Sequence, residues 1–185
     1  EASGSVTLNG DNGVTINDNF TSTGTITIDT DVDDSGTGDL TLASGATLTT
    51  NNNDLSITAN DITLTGSIAA GTGTVTIVVS DAEPIMLDGT LSTGSAVSSS
   101  GLCSATCGLT INGLEIQNIT AGNLIIGDNT HARLAVDSIS AAHTGNITGT
   151  ITLNTTSNGS SGIIFGTTAS TFAGALTANA GNGIQ

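Results

Sequence analysis

The chain has 185 residues, enough for a single domain with a sizeable core. It carries 16 acidic residues and one basic residue, Arg133, so the formal net charge is −15. Nucleic acids and anionic lipid headgroups are also negatively charged, and we expect the chain to bind neither. The sequence contains no run of about 18 apolar residues, so we predict no membrane insertion.

Short β-strands are predicted along the whole chain. Apolar residues alternate with Ser or Thr, and this period of two indicates strands rather than helices. Gly, Asn and Asp between the strand units supply the turns. The units are residues 5–8, 13–16, 25–28, 39–42, 54–57, 61–64, 74–77, 109–111 and 151–153.

The strand units recur with a coarse period of roughly 20 to 22 residues, which is typical of stacked repeats. We therefore predict an all-β fold, a parallel β-helix of about eight to nine coils and about 40 Å in length. Residues 1–185 are treated as one β-solenoid domain. The Ser-rich stretch around residues 94–107 breaks the pattern and is predicted to be an excursion from the coils.

An acidic segment follows the third strand unit. Ca²⁺ binds carboxylate oxygens, and close carboxylates repel one another unless screened, so calcium is the candidate cofactor. The segment does not match an EF-hand, because Asp34 stands where the turn needs glycine and Leu40 where a bidentate Glu belongs. The alternative is a solvated acidic turn. The candidate ligands are Asp29, Asp31, Asp33, Asp34 and Asp39.

Cys103 and Cys107 are the only cysteines. In an exported protein we expect them to form an intramolecular disulfide within the Ser-rich excursion. Intermolecular disulfides between neighbouring subunits are the alternative. A zinc site is not expected, because His131 and His143 lie far along the chain.

The sequence offers little for catalysis, and we expect the protein not to be an enzyme. Sugar-cleaving sites need clustered acids with basic residues, or paired carboxylates with aromatic platforms. The chain has one Arg, no Trp and no Tyr. His131 and Arg133, with Asp128 nearby, fit an exposed corner better than an active site.

Threonines recur two residues apart in several strand units. Threonine ladders on a flat face are typical of ice-binding β-helices. Here the pairs are spaced irregularly along the chain, so we predict ordinary outward-facing threonines that reflect strand propensity. The pairs are Thr25/Thr27, Thr63/Thr65 and Thr74/Thr76.

Five Asn-x-Ser/Thr sequons are candidate glycan acceptors in a host with that machinery. Because Asn, Ser and Thr are abundant in this chain, chance explains most of them. The asparagines are Asn19, Asn118, Asn146, Asn154 and Asn158.

Residues 108–136, followed by the run 147–185, resemble the repeat modules of large bacterial surface proteins of the filamentous-haemagglutinin kind. Residues 172–181 are similar to another recurring unit of those proteins. The resemblance implies a right-handed β-helix, export, and a surface or adhesive role. The matching motif positions are Gly108, Leu109, Thr110, Ile111, Gly113, Glu115, Ile116, Ile119, Ala121, Gly122, Leu124, Ile126 and Gly127.

Stacked parallel strands leave unpaired backbone groups at both ends, and neither end of this chain shows a polar cap. We therefore expect end-to-end self-association or continuation of the stack. The predicted function is that of a non-enzymatic, extracellular structural protein, a subunit or repeat segment of a cell-surface fibre, sheath or surface layer. The alternative is an adhesin module that binds a glycan or a cell surface through residues 94–107.

Overall fold

The computed structural model describes residues 1–90, 107–130, 133–155 and 162–185. Over these ranges the protein is nearly all β, as predicted, and the strands form parallel sheets. The strands are β1 (Val6–Asn9), β2 (Val14–Ile16), β3 (Phe20–Thr21), β4 (Ile26–Asp29), β5 (Leu40–Leu42), β6 (Thr47–Thr49), β7 (Leu55–Ala59), β8 (Ile62–Leu64), β9 (Ser67–Ala69), β10 (Thr74–Val79), β11 (Ile85–Asp88), β12 (Leu109–Asn112), β13 (Ile119–Thr120), β14 (Asn123–Ile126), β15 (Arg133–Asp137), β16 (Thr150–Thr155), β17 (Gly162–Phe165) and β18 (Ala175–Ala180).

The described strands form four sheets. The largest, called here the long sheet, has the order β1-β4-β7-β10-β14-β16-β18. A three-stranded sheet has the order β2-β5-β8, and two four-stranded sheets have the orders β3-β6-β9-β13 and β12-β11-β15-β17. Along the chain, each strand of the long sheet is followed by strands of other sheets before the next strand joins the long sheet. We call each such segment, from one strand of the long sheet to the next, a pass.

The passes differ in length. Residues matched in register give the number of residues between successive strands of the long sheet, which is 20, 29, 20, 49, 27 and 25. The matched residues are Val6, Ile26, Leu55, Val75, Leu124, Ile151 and Leu176. The long sheet has seven strands in the described chain, compared with the eight to nine coils predicted for residues 1–185. Only two passes come close to the predicted period, and inserted loops lengthen the others.

The core lies behind the long sheet and follows from the alternation in sequence. Exposure alternates residue by residue in β4, β7 and β10, with aliphatic side chains inward and mostly Ser or Thr outward. Burying one Ile, Leu or Val contributes about 1.5–3 kcal/mol. Most of the buried apolar residues form one connected cluster that extends from Ile26 to Ile163, and Met86, Cys107 and Ala135 form a second, small cluster.

One short helix, α1 (Gly113–Gln117), interrupts the strands, and the sequence analysis did not predict it. Its N-cap is Asn112, whose side-chain oxygen accepts hydrogen bonds from the backbone N–H groups of Leu114 and Glu115. Within the described ranges, no helix has the length and apolar character needed to cross a membrane.

Apolar residues in and near the first and last strands of the described chain are less buried than those between them. In the first pass, Leu8, Ile16 and Phe20 are only partly buried. At the opposite edge, Leu176 keeps 37% of its surface exposed and Ile184 keeps 52%. Apolar side chains are thus accessible at both ends of the stack of strands.

Candidate functional site

The predicted acidic loop is organised around the carboxylate of Asp31, which is completely buried. Its Oδ1 accepts hydrogen bonds from the Ser35 backbone N–H at 3.0 Å and the Ser35 hydroxyl at 3.1 Å. Its Oδ2 accepts from the Gly36 N–H at 2.9 Å and the Ser80 hydroxyl at 2.7 Å. Burial raises the pKa of Asp31, but the hydrogen bonds from Ser80, Gly36 and Ser35 outweigh it and hold the pKa below its ordinary value. Asp31 therefore acts as a structural acceptor for the loop.

The other four predicted calcium ligands do not converge with Asp31. Asp29 Oδ1 accepts the Asp31 backbone N–H at 3.3 Å, and Asp39 Oδ1 accepts the Asn60 amide at 3.0 Å. Asp33 and Asp34 are exposed. Among the residues that the structure describes, no group of three His, Cys, Asp or Glu side chains is placed to hold a metal ion. Calcium binding remains a prediction, and this geometry does not support it.

An acidic cleft of about 520 Å³ lies beside this loop. Four carboxylates line it, from Asp39, Asp61, Asp81 and Glu83, together with Cys107. Burial, with an added contribution from the charge of Asp39, raises the pKa of Asp61 to about 6, although N–H groups from Thr110 and Ile62 act to lower it. The cleft thus combines strong negative charge with a carboxyl group that titrates near pH 6.

Asp61 also joins two parts of the fold. Strand β8 is an edge of the three-stranded sheet, and β12 lies near it in a different sheet. The backbone N–H of Thr110, in β12, donates to Asp61 Oδ1 at 2.9 Å. The Asp61 side chain therefore accepts the hydrogen bond of the Thr110 backbone N–H at a point where β8 and β12 are not paired with each other.

Glu115 has the same kind of role and is 1% exposed. Its Oε1 accepts the Leu64 N–H at 3.2 Å and its Oε2 accepts the Asn112 N–H at 3.0 Å, which completes a capping box at α1. Asn118 donates its amide to the Leu64 carbonyl at 2.7 Å. Glu115 and Asn118 thus bind both backbone groups of Leu64 at the edge of β8.

These contacts give a structural explanation for the motif in residues 108–127. Besides Glu115, its glycines occupy positions without room for a side chain: a Cβ at Gly113 would meet the His143 ring, and one at Gly122 would meet the Thr72 carbonyl. Gly127 has a φ of +78°. The motif therefore specifies local folding in this chain. Neither Asp61 nor the role of Glu115 was predicted from the sequence, although an acidic residue within an apolar motif was a usable signal.

Cys107 is disulfide-bonded, in agreement with the predicted oxidised state. The other cysteine, Cys103, lies outside the described residues, as do residues 94–106 of the predicted excursion. The pairing of Cys103 with Cys107 therefore stays a prediction.

Three of the five predicted glycan acceptors have side chains engaged in the fold. Asn118 is bound to Leu64 as described above, and Asn146 donates its amide to the Gln117 carbonyl at 2.8 Å. Asn154 accepts the Asn179 amide at 2.9 Å. Asn19 is exposed and uses only its oxygen, which accepts the Thr47 N–H at 2.9 Å. Asn158 lies outside the described residues. Of the described sequons, Asn19 offers the most accessible amide.

The histidine corner is partly described. Asp128 Oδ1 accepts both the N–H and the hydroxyl of Thr130 at 2.7 Å, which forms a local turn. Arg133 lines a cavity of about 250 Å³ beside Gly162 and Asn182. His131 lies outside the described residues, so the expected corner is described only through Asp128, Thr130 and Arg133.

No protein-family model, no curated protein and no solved structure significantly matches this chain. The function is therefore argued from the geometry of the described residues.

Proposed function

We propose that the four parallel sheets are the faces of a right-handed β-helix. In its first three passes the chain visits the long sheet, the three-stranded sheet and a four-stranded sheet in the same order, which supports a helical path. Connections between parallel strands of one sheet are almost always right-handed, which supports the handedness.

The protein is, in this proposal, a non-enzymatic structural segment of an extracellular fibre, sheath or surface layer. The observation that carries it is the long sheet, which adds strands in parallel from β1 to β18 and ends in two outer strands with accessible apolar side chains. An exposed strand edge is a template for further pairing. End-to-end association of copies, or more strands of the same kind, would cover both edges.

The disulfide supports an exterior location, and the net charge is compatible with the proposed structural role. Cys107 is in a disulfide, and disulfides persist mainly in oxidising compartments outside the cytosol. The net charge of −15 keeps a protein with long uncharged faces soluble.

Electron microscopy of the purified 185-residue chain over a concentration series, with and without calcium, tests the proposal. We expect unbranched filaments with an axial repeat of about 34 Å, which is seven strand spacings of about 4.8 Å. Leu176→Lys should shorten or abolish them, because it places a charge in the outermost apolar layer. Ala175→Lys is the matched control, since Ala175 is the preceding, already exposed residue of β18.

The second candidate is an adhesin module for a glycan or a cell surface. Its predicted contact region, residues 94–107, is described only at Cys107, so no described contact favours it. Dispersed short rods at every concentration would contradict the fibre proposal and would make glycan-binding screens the next experiment.

A further inference from the structure

The outward face of the long sheet carries a continuous ladder of hydroxyl groups. Strand register places one residue of each strand in a single column across all seven strands. Six of the seven are Ser or Thr, and the seventh is Ile. The column, called here the central ladder, is Thr7, Thr27, Ser56, Thr76, Ile125, Thr152 and Thr177.

A second, less uniform column runs beside the central ladder, two residues earlier on each strand. It contains Thr25, Thr74 and Thr150, and Thr25 donates its hydroxyl hydrogen to Ser5 at 2.9 Å. Asp54 and Asn123 interrupt the threonines. Their Oδ1 atoms accept the backbone N–H groups of Thr74 at 2.8 Å and Thr150 at 3.0 Å, so these side chains are held against the neighbouring strand.

The structure removes the reason for treating these threonines as unrelated. Their irregular spacing in sequence arises from loops of different length between strands, whereas parallel pairing restores a uniform spacing on the sheet. Adjacent members of the central ladder are about 4.8 Å apart, and the two columns are about 6.6 Å apart along the strands. The pairs Thr25/Thr27 and Thr74/Thr76 therefore lie on one regular lattice, with Asp54 and Ser56 between them.

The hydroxyl groups of the central ladder make no hydrogen bond to the rest of the described protein, and no member of the ladder is charged. In a chain with a net charge of −15, such an uncharged column fits an uncharged partner, and Asp54 is the one carboxylate in the neighbouring column. A shallow depression of about 530 Å³ lies over both columns, and its polar lining residues are Thr25, Thr27, Asp54, Ser56, Thr74 and Thr76.

We propose that this face binds ice. Each threonine presents a hydroxyl that can donate and accept hydrogen bonds and a methyl group that orders water around it. Ice exposes neutral oxygen atoms on a regular two-dimensional lattice with spacings of the same magnitude as those of the two columns. A neutral polysaccharide fits less well, because sugar rings stack on aromatic side chains and the three Phe residues, Phe20, Phe165 and Phe172, lie outside the long sheet.

The inference is independent of the proposed fibre, since it needs only the register of the long sheet. It is tested by freezing a dilute solution of the 185-residue chain slowly onto a cold surface and measuring the fraction of protein incorporated into the ice. Thermal hysteresis is recorded on the same samples. We expect enrichment in the ice fraction relative to a protein without ice affinity, and faceted rather than round ice crystals.

Thr76→Lys replaces a central member of the ladder with a long charged side chain and should reduce incorporation several-fold. Thr41→Lys is the matched control, because Thr41 is also outward-facing and half-buried but belongs to the three-stranded sheet. Circular dichroism establishes that both variants keep the β fold. Exclusion of the wild-type chain from ice would overturn the proposal, as would equal loss in both folded variants. Binding to an insoluble neutral glucan without enrichment in ice would also overturn it and assign the face to polysaccharide.

Discussion

Ser80 donates a hydrogen bond from its hydroxyl to Oδ2 of Asp31 over 2.7 Å, although 49 residues separate them in the chain. The contact ties the loop after β4 to the end of β10, two strands away in the long sheet. Together with Ser35 and Gly36, Ser80 gives the buried Asp31 carboxylate a complete set of donors. The loop for which composition predicts an ion site is thus held by hydrogen bonds to Asp31 from Ser35 and Gly36 within it and from Ser80 outside it.

Asp31→Asn should lower the free energy of unfolding by on the order of 1–3 kcal/mol, because the amide group would face backbone donors and leave at least one of them unpaired. Asp33→Asn is the control: it removes the same charge from an exposed neighbour and should have little effect. Urea unfolding monitored by circular dichroism measures both. Equal stability of the two variants would contradict the structural role of Asp31.

The pH dependence of this contact has a definite sign. The pKa of Asp31 is lowered in the folded protein, so its contribution to stability is present above the ordinary carboxyl pKa and is lost as pH falls through the folded value. Unfolding curves of the wild-type chain and of Asp31→Asn should therefore converge in strong acid. A difference that stays constant down to low pH would mean that the ionised carboxylate is not the stabilising species.

Asp61 has the opposite dependence. Its pKa is raised from 3.8 to about 6 by burial, so the folded state holds a proton between those values more tightly than the unfolded chain does. Its contribution to stability is present below 3.8 and is lost as pH rises through about 6.

Asp61→Asn should therefore stabilise the protein at neutral pH. One pKa unit corresponds to about 1.4 kcal/mol, and partial solvent screening reduces the effect to on the order of 1–2 kcal/mol. The Asn oxygen still accepts the Thr110 N–H. The gain should disappear near pH 4, and denaturant titrations at the two pH values measure it. Lower stability of Asp61→Asn at pH 7 would contradict the raised pKa.

We expect the free energy of unfolding to fall more when the Glu115 side chain is truncated than when only its charge is removed. Glu115→Ala leaves the N–H groups of Leu64 and Asn112 without their acceptors and should cost on the order of 2–4 kcal/mol. Glu115→Gln keeps one acceptor oxygen and should cost about half as much. Gln117→Ala, on the exposed side of α1, is the control and should cost little. Thermal unfolding that ranks Gln below Ala in stability would refute the role given to the carboxylate oxygens.

Gly122→Ala should destabilise the fold by about 1–3 kcal/mol, because the new Cβ would meet the Thr72 backbone carbonyl, which cannot move without shifting β10. Gly145→Ala is the matched control, since its Cβ would lie 3.6 Å from the nearest heavy atom, the Ala141 oxygen. Midpoints of thermal unfolding compare the two. If both substitutions are tolerated equally, close backbone packing does not explain the glycine in this motif.

The strands were predictable from sequence where alternation was strict. The predicted units at residues 25–28, 54–57 and 74–77 overlap strands β4, β7 and β10. Each unit buries two aliphatic side chains on one face, and this alternation is what identified it as a strand. The number of strands in one sheet could not be read from the sequence, because loops of different length separate the strands and only the register shows which of them pair.

The side-chain contacts could not be predicted from local sequence, because they join residues that are far apart in the chain. Glu115 and Leu64 are 51 residues apart, and Asp61 and Thr110 are 49 apart. Their partners follow from the position of β12 beside β8, which local sequence does not specify. The threonine pairs were recognised in sequence, but only strand pairing shows that Thr25/Thr27 and Thr74/Thr76 share the long sheet, whereas Thr63 lies in β8 of the three-stranded sheet.

Both the fibre and the ice-binding face require that the strands from β1 to β18 form one parallel stack. Spin labels at Thr7→Cys and Thr177→Cys, the two ends of the central ladder, measure this directly by double electron–electron resonance, with the native disulfide kept oxidised. We predict a narrow distribution near 29 Å, six strand spacings of about 4.8 Å, broadened by the label linkers. A broad distribution, or a distance far from this value in the monomeric chain, would contradict the stack.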